Sequence, residues 1–188
     1  MRERMEHFFE RVKGWFSFRA VYEQAVREAP DPAHFVEVGS WRGRSAAFMA
    51  VEIINSGKDI DFDCVDHWLG SIGAKMRNDP DVISGELYNI FLKNIAPVAD
   101  RIKVIRGLSA EAAKLYKDDS LDFVFIDAGH DYPDVHADLE AWWPKVKSGG
   151  WFAGDDYYGQ GVKRAVDEKF SVEDIAGAGT GRQWRVRK

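Results

Sequence analysis

The chain has 188 residues, of which 45% are hydrophobic and 30% are charged, so it can bury a core of ordinary size and extensive disorder is excluded. Its formal net charge of -5 argues against a general nucleic-acid binder, and no apolar run approaches the ~18 residues of a membrane span. Charges interrupt the apolar positions of residues 1–16, unlike a secretory signal. A single cysteine, Cys64, excludes an internal disulfide and suits a reducing cytoplasm. From these features together we expect one cytoplasmic domain without nucleic-acid or membrane partners.

Helical periodicity extends from the N-terminus to about Ala29, and Pro30 and Pro32 end this segment. From residue 34 onward, apolar runs typical of strands alternate with helical patterns. The predicted strands are 34–39, 62–66, 102–107, 121–127, 149–156, 172–175 and 183–187. The predicted helices are 45–57, 109–117, 135–146 and 161–170.

This alternation predicts an α/β fold of the Rossmann-like, doubly wound type, with a mostly parallel seven-stranded sheet and helices on both faces. We expect residues 1–30 to form an N-terminal helical segment and residues 31–188 to form the domain that carries the sheet. One irregular stretch, 67–85, is longer than an ordinary connection, and loops of this length are usually functional lids.

A turn follows the first predicted strand in the segment EVGSWRGRS, residues 37–45. Gly39 permits a tight turn and a close backbone approach to a ligand, and Gly43 lets the next helix begin beneath it. The second strand ends at Asp66, whose carboxylate can accept hydrogen bonds from ribose hydroxyls. An adenosine-containing ligand is therefore expected, but not NAD, because Trp41 interrupts the GxGxxG pattern. A tight turn without a ligand is the alternative.

Carboxylates follow the fourth and fifth predicted strands, namely Asp127 on one and Asp155 with Asp156 on the other. Adjacent parallel strands would bring the three into one pocket, where they repel one another unless they are protonated or bound to a cation. Oxygen ligands without a cysteine favour Mg²⁺, Ca²⁺ or Mn²⁺. His130 lies on the same loop as Asp127 and can remove a proton from a substrate hydroxyl near neutral pH. The alternative is that one or two carboxylates are solvated strand-end caps.

Together these segments resemble the class I S-adenosylmethionine-dependent methyltransferases. The resemblance covers 34–158 and is carried by EVGSWRGRS, VDHWLGS, RGLSAE, FIDAGHDY and LEAWWPKVKSGGWFAGDDY. Within that family the chain is similar to the metal-dependent O-methyltransferases, including the macrocin and mycinamicin type and, more distantly, catechol O-methyltransferase. The general first motif is E/D-x-G-x-G-x-G, and Trp41 replaces its middle glycine. An aromatic residue at that place is similar to the catechol branch.

The resemblance implies a role for each of the residues singled out above. The methionine portion of the cofactor would be surrounded by Glu37, Gly39, Ser40 and Gly43. Asp66 would hold the ribose hydroxyls. The ribose and adenine would be bordered by His67, Trp68, Leu108 and Ser109. The metal would be held by Asp127, Asp155 and Asp156. Asp127 would also lie beside the cofactor, and His130 would act with it in catalysis as the general base.

The function that follows is that of an S-adenosylmethionine-dependent O-methyltransferase, with residues 31–188 as its cofactor-binding domain. It would act on a hydroxyl of a small molecule with the help of a divalent metal, Mg²⁺ in the first instance, and we also expect that two copies can form a homodimer. Three alternatives remain open: an enzyme similar to cephalosporin hydroxylase, a non-catalytic S-adenosylmethionine-binding protein, and a methyltransferase of RNA or protein. The acidic net charge disfavours the last of these.

Overall fold

A computed structural model describes residues 4–70, 78–176 and 182–188 of the chain. Its strands are β1 (Ala33–Val38), β2 (Ile60–Asp66), β3 (Lys103–Arg106), β4 (Leu121–Ile126), β5 (Val146–Gly154) and β6 (Trp184–Arg187). They form one sheet in the order β3-β2-β1-β4-β5-β6. All neighbouring strands are parallel except β6, which runs antiparallel to β5. The predicted Rossmann-like, mostly parallel sheet is confirmed.

Helices cover both faces of this sheet. They are α1 (Arg19–Glu28), α2 (Arg44–Ser56), α3 (Pro80–Ile83), α4 (Leu87–Ile95), α5 (Ser109–Ala113), α6 (Tyr132–Trp142) and α7 (Gln160–Lys169). Residues of α1, α2 and α4 share one core cluster with the inward side chains of β1, β2 and β4. Residues of α5, α6 and α7 share a second cluster with the alternate side chains of the strands. None of the described helices is long and apolar enough to cross a membrane.

The order of the strands determines where a ligand can bind. β1 lies between β2 and β4, and the chain reverses its direction of progress across the sheet at this point. In open α/β sheets such a reversal leaves a crevice outside the carboxyl ends of the central strands. β4 is buried along most of its length because its apolar run LDFVFI is covered by helices on both faces. The buried strand β4 therefore supports the crevice from beneath.

The sheet has six strands in the described part of the chain, whereas the sequence predicted seven. The predicted strand at 172–175 is a 3-10 helix, Val172–Asp174, because the chain turns tightly after Ser171. That turn directs Ile175 into the second core cluster. Of the described residues between this turn and β6, Ala176 alone pairs with the sheet, through a single antiparallel bridge to Arg185.

The helical pattern of the N-terminal segment is divided in two, as the presence of Gly14 within it led us to expect. A 3-10 turn, Phe9–Arg11, and α1 are separated by residues 12–18, which are not helical. Gly14 has φ +141°, a conformation that interrupts a helix. The stretch 67–85 contains α3, and α4 follows it without having been predicted. Residues 71–77, on which much of the predicted lid falls, lie outside the described residues.

Candidate active site

A cavity of about 450 Å³ opens at the carboxyl ends of β1, β2, β4 and β5. Two groups of predicted residues line it. The cofactor group consists of Gly39, Ser40, Asp66, His67, Ser109 and Asp127. The metal and catalytic group consists of Asp127, His130, Asp155 and Asp156. The strand ends therefore bring most of the predicted site residues to one cavity, as the parallel topology requires.

The turn after β1 explains the need for a glycine at Gly39. Gly39 has φ +94°, and a Cβ atom on it would lie 2.1 Å from the backbone oxygen of Asp127. Its own N–H donates to the oxygen of Val65 at 2.8 Å. The backbone segments that follow β1, β2 and β4 thus pass very close to one another, which a side chain would prevent. This close approach leaves the cavity beside the turn open to a ligand.

Asp66 ties the turn after β1 to the turn after β2. Its Oδ2 accepts a hydrogen bond from the N–H of Trp41 at 2.9 Å, and its Oδ1 accepts one from the N–H of Trp68 at 2.7 Å. Each carboxylate oxygen can accept more than one hydrogen bond, so a ribose hydroxyl can still bind there. His67 lines the cavity beside it, and its Nδ1 accepts from the N–H of Leu69 at 2.9 Å.

Glu37 does not line the cavity but lies buried in the strand beneath it. Its Oε2 accepts a hydrogen bond from the hydroxyl of Tyr22 at 2.6 Å. Burial raises the pKa of this carboxyl to about 7, although the bond from Tyr22 lowers it. Glu37 therefore supports the turn after β1 from the core of the protein, at a distance from any ligand in the cavity.

Three other residues that were predicted to surround the cofactor also lie outside the lining. A Cβ atom on Gly43 would meet Ile95 at 2.9 Å, so this glycine serves the packing of α2 against α4. Trp68 is buried, and its Nε1 donates to the backbone oxygen of Trp41 at 2.8 Å. Leu108 is 61% exposed at the start of α5.

Ser109 lines the cavity at the end of β3, but its hydroxyl already has a structural partner. The Nε1 of Trp142 donates to Ser109 Oγ at 2.8 Å. The resemblance places the edge of the adenine here. The adenine would therefore meet a serine whose Oγ already accepts a hydrogen bond from a residue of α6.

An acidic and imidazole cluster occupies the other half of the cavity. One ligand atom each from Asp127, His130 and Asp156 lies within 4.8 Å of the others. His130 Nε2 is 3.3 Å from Asp156 Oδ2 and 3.5 Å from Asp127 Oδ1. Burial chiefly raises the pKa of Asp127 to about 6, with the neighbouring carboxylates adding to it. The hydrogen bond with Asp127 raises the pKa of His130 above its usual range.

Asp155 lies beside this cluster, but its side chain is engaged elsewhere. Its Oδ1 accepts from Gln183 Nε2 at 2.9 Å, and its Oδ2 accepts from Ser17 Oγ at 3.2 Å. Asp156 in turn is 3.2 Å from the guanidinium of Arg182. No local sequence pattern indicates a cation near these carboxylates, because β6 brings Arg182 in from the far end of the chain.

Several lining residues were not found by sequence reasoning. They are Lys13, Gly14, Trp15 and Phe18 from the N-terminal segment, Trp41 and Arg44 from the turn after β1, and Tyr158 and Arg182 from the far side. Trp41 Nε1 and Arg44 Nε are buried without a hydrogen-bond partner among the described residues, as expected for groups that await a ligand. Two of these residues carried a sequence signal: Trp41 lies in the motif at 37–45, and Gly14 interrupts the helical pattern of the N-terminal segment.

A doubly wound sheet with a cavity and a carboxylate cluster at its strand ends fits the class I methyltransferase fold. Residues 36–157 match the model of a family described as a methyltransferase domain, which spans well over half of the chain. The chain belongs to this methyltransferase domain family, whose cofactor is S-adenosylmethionine. The predicted family is thereby confirmed, and the alternatives of a cephalosporin-hydroxylase-like or non-catalytic protein are not favoured.

Solved structures with the same fold include the O-methyltransferase NovP, which is 21% identical with a TM-score of 0.70 over 90% of this chain and 78% of that one. The calicheamicin methyltransferase is 15% identical with a TM-score of 0.63 over 90% and 76%. A curated relative, "Uncharacterized protein y4gI" from Sinorhizobium fredii, is 28% identical over 142 residues. Those residues are 74% of this chain but only 15% of the relative's length.

Proposed function

We propose that this chain transfers the methyl group of S-adenosylmethionine to a hydroxyl of a small molecule. The observation that carries the proposal is that one cavity joins the turn after β1 with the cluster of Asp127, His130 and Asp156. A cofactor loop alone would suit many methyltransferases. A carboxylate and imidazole cluster beside it supplies what a hydroxyl acceptor needs, namely a cation site and a base.

The cofactor half of the cavity fits S-adenosylmethionine in size and chemistry. A volume of about 450 Å³ is suited to a small-molecule ligand. Asp66 offers carboxylate lone pairs to the ribose hydroxyls, and the backbone around Gly39 can approach the methionine portion closely. Solved relatives of this fold support methylation at oxygen, since NovP is named an O-methyltransferase and the calicheamicin enzyme a TDP-rhamnose 3′-O-methyltransferase.

Asp127, Asp155 and Asp156 are the residues proposed to hold a divalent metal. Their donor set fits Mg²⁺ or Mn²⁺, because both ions prefer carboxylate oxygens. Burial chiefly raises the pKa of Asp127, and the neighbouring carboxylates of Asp155 and Asp156 add a repulsion that a cation would relieve. A divalent cation bound there supplies positive charge that lowers the pKa of an acceptor hydroxyl.

The residues of this chain then divide the reaction between alignment and proton transfer. Methyl transfer is an in-line displacement, so the cavity has to align the acceptor oxygen with the methyl carbon. A bond forms between that oxygen and the methyl carbon as the carbon–sulfur bond breaks, and its electron pair stays on sulfur to give S-adenosylhomocysteine. The hydroxyl proton passes to the imidazole of neutral His130, on the ring nitrogen that does not donate to a carboxylate; its Nε2 lies 3.5 Å from Asp127 Oδ1 and 3.3 Å from Asp156 Oδ2.

Calorimetry on the purified protein tests the cofactor part of this proposal. S-adenosylhomocysteine should bind and NAD should bind much more weakly, because the GxGxxG pattern is absent. A folded protein that does not bind S-adenosylhomocysteine at about millimolar concentration, weaker than the usual range for such ligands, would refute the methyltransferase proposal.

Methyl transfer to a panel of vicinal diols, including catechols and sugars, tests the chemistry. Activity should rise with Mg²⁺ or Mn²⁺ and disappear with a chelator. Full activity in excess chelator would contradict the metal assignment while leaving methyl transfer in place. Two reactions serve as controls, one with boiled wild-type enzyme and one without the acceptor.

A further inference from the structure

We propose that residues 13–18, here called the strap, form a wall that closes the cavity over bound S-adenosylmethionine, and that Ser17 and Gln183 are the positioning residues that hold it there. This inference rests on the proposed function and concerns the same cavity. The strap has no regular secondary structure, and Lys13, Gly14, Trp15 and Phe18 all line the cavity.

The first anchor joins the strap to the cofactor half of the site. Arg44 Nη1 donates to the backbone oxygen of Gly14 at 2.7 Å. A Cβ atom on Gly14 would lie 3.8 Å from Arg44 Cβ and 4.0 Å from Trp41 Cδ1, so the strap backbone passes directly over these two side chains. Both belong to the turn after β1 and the start of α2, and each carries a buried N–H without a partner among the described residues.

The second anchor joins the strap to the acidic half of the site. Ser17 Oγ donates to Asp155 Oδ2 at 3.2 Å, and Gln183 Nε2 donates to both Ser17 Oγ, at 3.1 Å, and Asp155 Oδ1, at 2.9 Å. The three side chains close a triangle whose corners come from the N-terminal segment, the end of β5 and the start of β6. Since Ser17 is exposed, simple burial does not explain its place in this triangle.

Between the anchors, the strap is fixed to the core on one side and faces the cavity on the other. The ring of Phe18 lies 4.3 Å from that of Phe125, and the ring of Phe16 lies 5.0 Å from that of Phe48. Trp15 lines the cavity yet is 64% exposed. Its indole is therefore in a position to contact a ligand that fills the cavity.

The two anchors give the strap a function beyond packing. The strap runs from the turn proposed to bind the cofactor to Asp155, which lies beside the catalytic cluster. It therefore covers the path between the methyl donor and the acceptor hydroxyl. Closing that path excludes water and fixes the cofactor relative to the acceptor. Loss of the second anchor should therefore weaken the binding of cofactor, even though Ser17 lies in the acidic half of the cavity.

The test compares Ser17→Ala with wild type by calorimetry with S-adenosylhomocysteine and by hydrogen exchange of the strap. We expect Ser17→Ala and Gln183→Ala to bind about 3- to 10-fold more weakly, a change within the range for the loss of an ordinary hydrogen bond. S-adenosylhomocysteine should slow exchange of residues 13–18 in the wild type and slow it less in Ser17→Ala. Ser17→Thr keeps the hydroxyl and should restore both properties.

Ser120→Ala is the matched control, because Ser120 donates its hydroxyl to Lys117 O in an exposed turn. It should bind S-adenosylhomocysteine like the wild type, and all variants should retain cooperative thermal unfolding. Equal affinity of Ser17→Ala and wild type would overturn the inference about the strap alone. Absence of binding by the wild type itself would instead refute the proposed function, so the two failures are distinguishable.

Discussion

The two halves of the cavity are built in different ways. The cofactor half comes mostly from one stretch of sequence, in which Gly39, Trp41 and Asp66 follow two neighbouring strands; the N–H of Trp41 donates to the Asp66 carboxylate, and the N–H of Gly39 donates to the backbone oxygen of Val65, the residue before Asp66. The acidic half combines Asp127 and Asp156 with Ser17 and Arg182 from the two ends of the chain. A local motif can specify the first half by itself. The second half exists only after the whole sheet has formed.

The two halves also differ in their electrostatics. The carboxylate of Asp66 receives a backbone N–H on each oxygen, so its charge is stabilised by the turn itself. Asp127 instead is partly buried close to two other carboxylates, and burial chiefly raises its pKa to about 6. One half is therefore ready to accept neutral hydroxyl groups, whereas the other gathers three carboxylates that suit a cation.

The largest expected effect comes from disrupting the close backbone contact between Gly39 and Asp127, on which both halves depend. Gly39→Ala places a Cβ atom 2.1 Å from the oxygen of Asp127 at a φ of +94°. We expect a loss of about 3 kcal/mol or more in stability, because backbone strain of about 1–3 kcal/mol adds to the clash of the Cβ atom with the backbone of Asp127, and no measurable binding of S-adenosylhomocysteine. Chemical denaturation and calorimetry measure the two effects.

Gly57→Ala is the control for this prediction. Gly57 also has a positive φ, +71°, at the end of α2, but a Cβ atom there would meet nothing within 4 Å. Its cost should be about 1 kcal/mol, from the backbone conformation alone, with cofactor binding unchanged. Equal effects of the two substitutions would show that the close backbone contact at Gly39 is not what the site requires.

The next effect separates the roles within the acidic half. His130→Ala should lower methyl transfer by about 10²–10⁴-fold, the range for removal of a general base, while Mn²⁺ still binds. Asp127→Asn should lose Mn²⁺ binding as well as activity. His136→Ala, an exposed histidine on α6, is the control. If His130→Ala loses Mn²⁺ as completely as Asp127→Asn does, His130 is a ligand and the proton goes elsewhere.

The same contrast explains how much the sequence predicts. The strands β1 to β5, the need for Gly39 and the position of Asp66 follow from apolar runs, turn chemistry and strand-end rules. Ser17, Gln183 and Arg182 could not be predicted, because their partners Asp155 and Asp156 are far away in sequence and no local pattern marks a tertiary hydrogen bond.

Burial explains the remaining differences between the predicted and the observed site. Glu37 and Trp68 belong to the motif but face the core, where they support the turns instead of lining the cavity. A motif fixes which residues occur near a ligand, but not which side chains point toward it. α4 was missed because its apolar face begins within a long connection that has no clear start signal.

A third substitution sharpens the account of the cofactor half. Asp66→Ala should weaken S-adenosylhomocysteine binding by about 2–3 kcal/mol, or roughly 30- to 150-fold, because it removes a charged acceptor of ribose hydroxyls. Calorimetry measures this change. Asp61→Ala, at an exposed position of the same strand, should leave affinity unchanged. Unchanged affinity in Asp66→Ala would place the ribose elsewhere in the cavity.

The smallest expected effect concerns the buried support beneath the cofactor half. Burial raises the pKa of Glu37 to about 7, so the folded protein holds this proton more tightly than the unfolded chain does. The stabilising contribution is complete below the unfolded pKa of 4.5 and is lost as pH rises through about 7. The wild type should therefore lose about 1–2 kcal/mol of unfolding free energy between about pH 5.5 and about pH 8 through this group.

Glu37→Gln should remove that pH dependence, because glutamine has no proton to lose and its oxygen can still accept from the hydroxyl of Tyr22. Denaturant titrations at both pH values measure the difference, with the exposed Glu111→Gln as the control. If the unfolding free energies of wild type and Glu37→Gln change in parallel with pH, Glu37 is ionised in the folded protein at neutral pH. The turn after β1 would then rest on a buried negative charge held by Tyr22, and the cofactor half would be no less charged than the acidic half that faces it.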